Sequence, residues 1–201
     1  RKAMAICEEK LGSDHSSTAT SYNNIGGAYG SKGRYDTAIE WILKAIAIQE
    51  AKLGSDHPST ATSYCNIGGA YESKGEYDTA IEWFLKAIAI QEAKLGRDHP
   101  STATSYNNIG YAYGSKGEYN TAIKWYLKAM AICEAKLGSD HPSTAASYCN
   151  IGGAYESKGE YDTAIEWYRK AMAICEEKLG SDHSSTATSY NNIGGAYGSK
   201  G

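Results

Sequence analysis

The sequence predicts an all-α fold, a solenoid of antiparallel helix pairs, on three observations. His15, His57, His99, His141 and His183 stand 42 residues apart, and so do Trp41, Trp83, Trp125 and Trp167; a period of this size marks a stacked array. Within each period, apolar residues recur at spacings of three and four, the signature of a helix with one buried face. The composition agrees: 201 residues hold 22 Gly, 17 Tyr, three Pro, one Phe and no Val, a skew that arises when one short segment is copied many times.

Taken in order, residues 1–12 read as the tail of a second helix and 17–31 as a first helix. The units 17–58, 59–100, 101–142 and 143–184 run on from there, and 185–201 is a lone first helix, giving ten helical segments in one array over 1–201. In the unit 59–100 the second helix is the clearer of the pair. Ala80, Ile81, Phe84, Ala87, Ile88 and Gln91 form a stripe opposite Glu82, Lys86 and Glu92, and Gly96 serves as the C-cap glycine. The next first helix follows the turn Asp98-His99-Pro100. There Asp98 or His99 can cap the free amides, and Pro100 stands where no amide is needed. First helices are weak in isolation, because glycines such as Gly68 and Gly69 each cost about 1 kcal/mol relative to Ala. They depend on their neighbours, and their glycines admit a second helix at close range.

Residues 1–33 repeat letter for letter as 169–201, so the copied block is four units long. A two-unit rhythm is nested in it: Cys65 and Cys149, with Glu72 and Glu156, alternate with Asn23, Asn107 and Asn191, with Gly30, Gly114 and Gly198.

The run Tyr64-Cys65-Asn66-Ile67-Gly68, with Tyr71, Gly75, Tyr77, Ala80, Phe84 and Ala87 at fixed offsets, resembles the tetratricopeptide repeat (TPR) pattern. The 42-residue length, the Ala-Ile-Ala-Ile-Gln-Glu-Ala-Lys-Leu-Gly-x-Asp-His-Pro ending and the Asn-Asn-Ile beginning are similar to the subclass found in kinesin light chains. The resemblance implies a right-handed TPR solenoid whose first helices line a concave groove. It places Thr62, Cys65, Gly69, Glu72 and Ser73 on that face in one unit and Thr104, Asn107, Tyr111, Gly114 and Ser115 in the next. Ala146, Cys149, Gly153, Glu156 and Ser157 continue it, and Asn23 and Asn191 occupy matching positions. Such a surface of amides and hydroxyls suits the backbone of an extended peptide or protein partner, with Tyr111 as the one large anchor. Two departures narrow the expectation. Asn23 and Gly27 flank Ile25 where carboxylate-clamp members of the family use Lys and Asn. A face with Glu72 and Glu156 and no basic ladder is also ill suited to acidic cargo.

Other classes of function find little support in the residues. The formal charge is −3 with the charges interspersed, so neither nucleic acid nor a membrane surface is an expected partner. No apolar window is long enough to span a bilayer, and no signal-peptide core precedes the repeats; the sequence reads as a soluble, cytoplasmic fragment. Cys7, Cys65, Cys133, Cys149 and Cys175 are odd in number and lack a Cys-x-x-Cys pair, which favours reduced thiols. Cys133 and Cys149 lie at similar distances from one turn, yet the residues matching Cys149 after Cys7 and Cys175 are Asn23 and Asn191, which argues against a pair. The Asp-His doublets, Asp14-His15 to Asp182-His183, read as caps and turns, since successive histidines one repeat apart are roughly 10 Å from each other and zinc needs ligand atoms about 2 Å from one ion. Tyrosines such as Tyr22, Tyr29 and Tyr35 read as core. The tryptophans are expected partly exposed on the outer side of the second helices, where they offer a self-association surface. No set of acid, base and nucleophile, no metal site and no cofactor loop is visible, so the chain is not read as an enzyme. The expected function is a protein-interaction scaffold. The alternative is a self-assembling array, weakly associated head to tail, in which the nine residues matching Arg34–Ile42 are missing at the junction.

Overall fold

The computed structural model describes residues 15–201. The helix tail expected over 1–12, Cys7 and Asp14 lie outside the described residues. Two compact units divide the chain, one ending at Arg97 and the other beginning at Asp98. The first unit holds α1 (Ser16–Gly30), α2 (Tyr35–Leu53), α3 (Pro58–Lys74) and α4 (Tyr77–Lys94). The second holds α5 (Pro100–Ser115), α6 (Tyr119–Leu137), α7 (Pro142–Ser157), α8 (Tyr161–Leu179) and α9 (Ser184–Lys200). All regular structure among the described residues is helical.

Each first helix from α1 to α7 packs on the second helix that follows it, α9 packs on α8 before it, and consecutive hairpins pack on one another within each unit. In the first hairpin a Cβ on Gly30 would lie 4.0 Å from Ala38, and one on Gly26 would lie 2.6 Å from Ile42. Partners thus recede equally from the turn, which is antiparallel pairing. The same close approach sets Gly68 against Phe84, Gly110 against Tyr126 and Gly152 against Tyr168. The expectation that the first of the two adjacent glycines faces the partner helix holds, and Gly69 has no atom within 4 Å of a would-be Cβ.

The stripe expected on α4 is the buried one: Ala80, Ile81, Phe84, Ala87, Ile88 and Gln91. Gly96 follows that helix with φ 101°, though its C-cap is Leu95; both amides donate to the Gln91 carbonyl. Gly54, Gly138 and Gly180 are themselves the C-caps of α2, α6 and α8. At the start of each first helix the ambiguity between Asp and His resolves to His. Its Nδ1 accepts the amide of the residue two positions on, at 3.1–3.2 Å, in all five cases. The neighbouring Asp, one residue too early to reach those amides, instead ties to the last turn of the following second helix. Asp56 pairs with Lys94 at 2.6 Å, Asp98 with Lys136 at 2.5 Å and Asp140 with Lys178 at 2.6 Å. These lysine ammoniums hold the three carboxyls below the usual Asp range.

The tryptophans are partly exposed, as expected, and they also pack on rings within their hairpins. Trp41, Trp83, Trp125 and Trp167 are half-buried, each tilted against a tyrosine of its own hairpin with centroids 5.2–5.5 Å apart. A lysine one turn on, Lys44, Lys86, Lys128 or Lys170, sits 4.0–4.4 Å from the indole. Trp83 and Trp167 also fill the seam to the preceding hairpin. Each indole is thus covered on one side by a tyrosine ring of its own hairpin and on another by a lysine stem and its charge.

Polar residues join the layers as well. Asn23 donates to Ser63 at 2.6 Å, and Ser63 donates to Gln49 at 2.5 Å. In the second unit Ser147 donates to the Cys133 thiol at 3.8 Å. Tyr64 donates to Glu50 and Tyr148 to Glu134, linking each first helix to the second helix before it.

Candidate functional site

Some of the residues expected to face a groove line cavities once folded, and others do not. In the second unit a cavity of about 540 Å³ opens between α5, α7 and α9, and Tyr111, Gly114, Cys149, Asn150, Thr188 and Asn192 line it. Tyr126 and Tyr168, from the second helices, form its floor. The glycines explain this floor: with hydrogen at Gly110 and Gly152, the rings of Tyr126 and Tyr168 come within 2.6–2.7 Å of where a Cβ would stand. A smaller cavity of about 350 Å³ lies between α5, α6 and α7, with Thr104, Asn107, Cys133, Lys136, Ser147 and Asn150 on its walls. In the first unit a cavity of about 430 Å³ between α1 and α3 is lined by Asn23, Asn24, Gly27, Tyr35, Asn66 and Ser73 among others.

Of the expected residues, Tyr111 and Cys149 are together in the 540 Å³ cavity, and Tyr111 is 57% exposed, available to a partner. Burial pushes the Cys149 thiol up, so it stands as a thiol rather than a thiolate. Thr104 and Asn107 share the smaller cavity, and Asn107 Oδ1 is buried without a hydrogen-bond partner. Asn23 reaches the first unit's cavity, but its amide nitrogen is spent on Ser63, and its Oδ1 too is buried and unpaired. Cys65 is half-buried and packs against the core between α2 and α3, with the Gln91 amide 4.0 Å from its sulfur. Thr62 is exposed and donates back to the Pro58 carbonyl at 3.3 Å. Asn191 is exposed on α9, off the walls of the 540 Å³ cavity, where the next residue, Asn192, takes the place.

Glu72 and Glu156 differ although both are half-buried. Tyr168 donates to Glu156 at 2.7 Å, and burial first, then that carboxylate, hold the Tyr168 hydroxyl well above the ordinary phenol range. At the matching position opposite Glu72 the chain has its single phenylalanine, Phe84. Burial pushes the Glu72 carboxyl up, with no phenol from that position to answer it.

Sequence reasoning passed over Asn150 and Asn192 and the floor tyrosines. Their signal was present: Asn24, Asn66, Asn108, Asn150 and Asn192 recur every 42 residues inside a helix, where Asn is a poor former and needs a reason. These asparagines stand at a position on which all five copies agree, not at one on which they differ. Among the described residues no three His, Cys, Asp or Glu side chains converge on a point that could hold a metal. No described helix is long and apolar enough to cross a membrane, and Cys65, Cys133, Cys149 and Cys175 are free thiols.

Comparison with known proteins agrees with the hairpins. The family model for the tetratricopeptide repeat matches residues 1–51, 22–93, 67–134, 101–177 and 148–201. A crystal structure from Podosopora anserina, described as nearly identical TPR-like repeats of a kinesin light chain, is similar at 30% identity, over 92% of this chain and 88% of that one, with a TM-score of 0.81. A crystal structure of a substituted form of those same repeats is similar at 30% identity, over 92% and 87%, with a TM-score of 0.82. BtubC (BKLC) from P. vanneervenii shares the fold at 18% identity, over 98% and 78%, with a TM-score of 0.81. No curated protein matches the chain. Helix pairs of matching length, glycine-to-aromatic packing and the family pattern over the whole sequence lead to one conclusion: the chain belongs to the tetratricopeptide repeat family.

Proposed function

We propose that the chain is a protein-interaction scaffold whose 42-residue units act as one array, with a concave groove that takes an extended peptide. TPR proteins generally mediate protein association, and the observation that carries the finer reading is the 540 Å³ cavity of the second unit. Its walls pair a row of neutral hydrogen-bonding groups, Asn150, Asn192 and Thr188, with an aromatic floor and the exposed ring of Tyr111. Carboxamides and hydroxyls spaced along helices suit peptide amides and carbonyls, and an aromatic anchor supplies most of the affinity. Glu156 is the only ionisable acid of the groove on α7 and is engaged by Tyr168, which favours neutral or mildly basic peptides over acidic ones. Free thiols suit a reducing, cytoplasmic setting.

A fluorescent random-peptide array probed with the purified chain tests this. Binding should concentrate on a peptide class and fall by about 2 kcal/mol on Asn150→Ala or Tyr111→Ala, the size of a hot-spot residue. Uniform weak capture, unchanged by both substitutions, would sink the groove reading.

A further inference from the structure

Residues 16–74 and 100–158 lie two units apart and share most of their sequence, so α1, α2 and α3 serve as a reference for α5, α6 and α7. In the first unit a run of side-chain hydrogen bonds ties the three helices together. Asn23 Nδ2 donates to Ser63 at 2.6 Å, and Ser63 donates to the carbonyl of the buried Gln49 at 2.5 Å. In the second unit Asn107 and Ser147 repeat the first two members, but the third is Cys133. A thiol is a weak acceptor, and Ser147 reaches it at 3.8 Å. The other acceptor of that hydroxyl, the Ser143 carbonyl, stands at 3.5 Å, the limit of a hydrogen bond. Asn107 Oδ1 is buried with no partner. The shorter side chain also makes room. Cys133 lies on the wall of the 350 Å³ cavity with Asn107, Ser147 and Ala146, and Ala146 stands where the first unit has Thr62. Two of the few differences between the units thus remove bulk and polar groups at one place. They leave behind a hydroxyl on a side chain only 2% exposed and a carbonyl that nothing answers.

We propose that the cavity between α5, α6 and α7 is a binding site for a primary carboxamide, the group that ends a glutamine side chain. The first unit shows the chemistry that completes such a place, since there the Gln49 carbonyl accepts from the matching serine. A guest carbonyl accepts from Ser147 in the same way, and the guest NH2 donates to Asn107 Oδ1. An acceptor buried unpaired costs the free chain stability, and a guest donor recovers it. Ala103, Ile132 and Leu137 on the walls take the methylenes of the guest. A carboxylate suits the site less well. It brings no donor to Asn107 Oδ1, and Lys136 on the wall is already held by Asp98 at 2.5 Å. Asn150 touches both cavities of the second unit, but Asn107 and Cys133 line the smaller one and not the 540 Å³ one. The proposal therefore goes beyond the groove reading and does not depend on it.

Titration of the full chain with propionamide, followed by the Asn107 side-chain NH2 and the Ser147 backbone amide in NMR spectra, tests this. Saturable shifts at millimolar concentration are expected, the range open to so small a ligand. Butanone keeps the shape and the carbonyl but has no donor, and propionate is charged; each should bind at least about fivefold more weakly. Cys133→Gln installs the residue of the matching positions Gln49 and Gln91, so the chain should stay folded while its own carboxamide fills the site. Propionamide should then bind about tenfold more weakly or worse, and Asn107→Ala should cost about fivefold. N-acetylglutamine methylamide and free glutamine, titrated separately, distinguish a peptide side chain from the free amino acid as the source, and the tighter binder names it. Failure of propionamide to saturate the chain overturns the proposal. So does equal binding of butanone, or undiminished binding to a folded Cys133→Gln chain. Should that variant not fold, the ratio of propionamide to butanone affinity on the parent chain decides alone.

Discussion

At the scale of single residues, hydrogen at one position decides how close two helices come. A Cβ on Gly110 would stand 2.7 Å from the Tyr126 ring, and that ring is buried and cannot swing away. Gly110→Leu is therefore expected to destabilise by about 1–3 kcal/mol through overpacking. Gly69→Ala, into open space, should be neutral or stabilising by up to about 1 kcal/mol through helix propensity. Urea melts rank the two, and the reverse order would mean that the wrong face of the first helix has been assigned to the core. Tyr148 offers a second measurement. Burial, then its hydrogen bond to Glu134, push its phenol up to about 12, above the ordinary value near 10. Folding thus favours the protonated phenol: the contribution is whole below about pH 10 and is lost as pH rises through about 12. Tyr148→Phe should lower stability at neutral pH and flatten its fall across that alkaline window, as read from denaturation midpoints.

Among the elements, the first helices are those most in need of support, because they carry glycines in their interiors and lean on a single capping side chain. His99 Nδ1 accepts the Ser101 amide at 3.1 Å at the head of α5. His99→Ala should cost about 0.5–2 kcal/mol, the usual range for a lost N-cap, and His99→Asn should recover most of it. Chemical denaturation of the parent chain and the two variants checks this, and equal midpoints for the parent and His99→Ala would remove the imidazole from the account. The Asp-Lys ties beside these caps are exposed, so salt screens them and they matter less than the cap. Their carboxyls are depressed by the lysines. What they contribute is present above the ordinary Asp range and lost as pH falls through the lowered values.

For the whole molecule, stability should rise with the number of units. Each hairpin buries its apolar faces largely against its neighbours, as Trp83 and Trp167 do in the seams within the two halves of the chain, so every added unit adds one more such seam. Chains of two, three and four units should melt at successively higher temperatures by circular dichroism. Identical melting temperatures would mean that the hairpins stand alone, which their weak first helices make physically unlike a repeat protein.

The fold class, the positions of the described helices to within a residue or two and the identity of the close-contact glycines were determined by the sequence alone. Period, stripe and turn residues are local properties that each copy restates, and repetition averages out the accidents of any one copy. Tertiary structure decided the rest. His rather than Asp caps the first helices, because only the backbone path at the turn aligns Nδ1 with the amide two residues on. The tryptophans found tyrosine partners on the first helices, contacts that exist only once folding brings the two helices of a hairpin together. Asn192 entered the 540 Å³ cavity while Asn191, one residue earlier, stayed outside it, since a single step along a helix turns a side chain through about 100° and only the packing of α9 on α8 fixes which of the two looks inward.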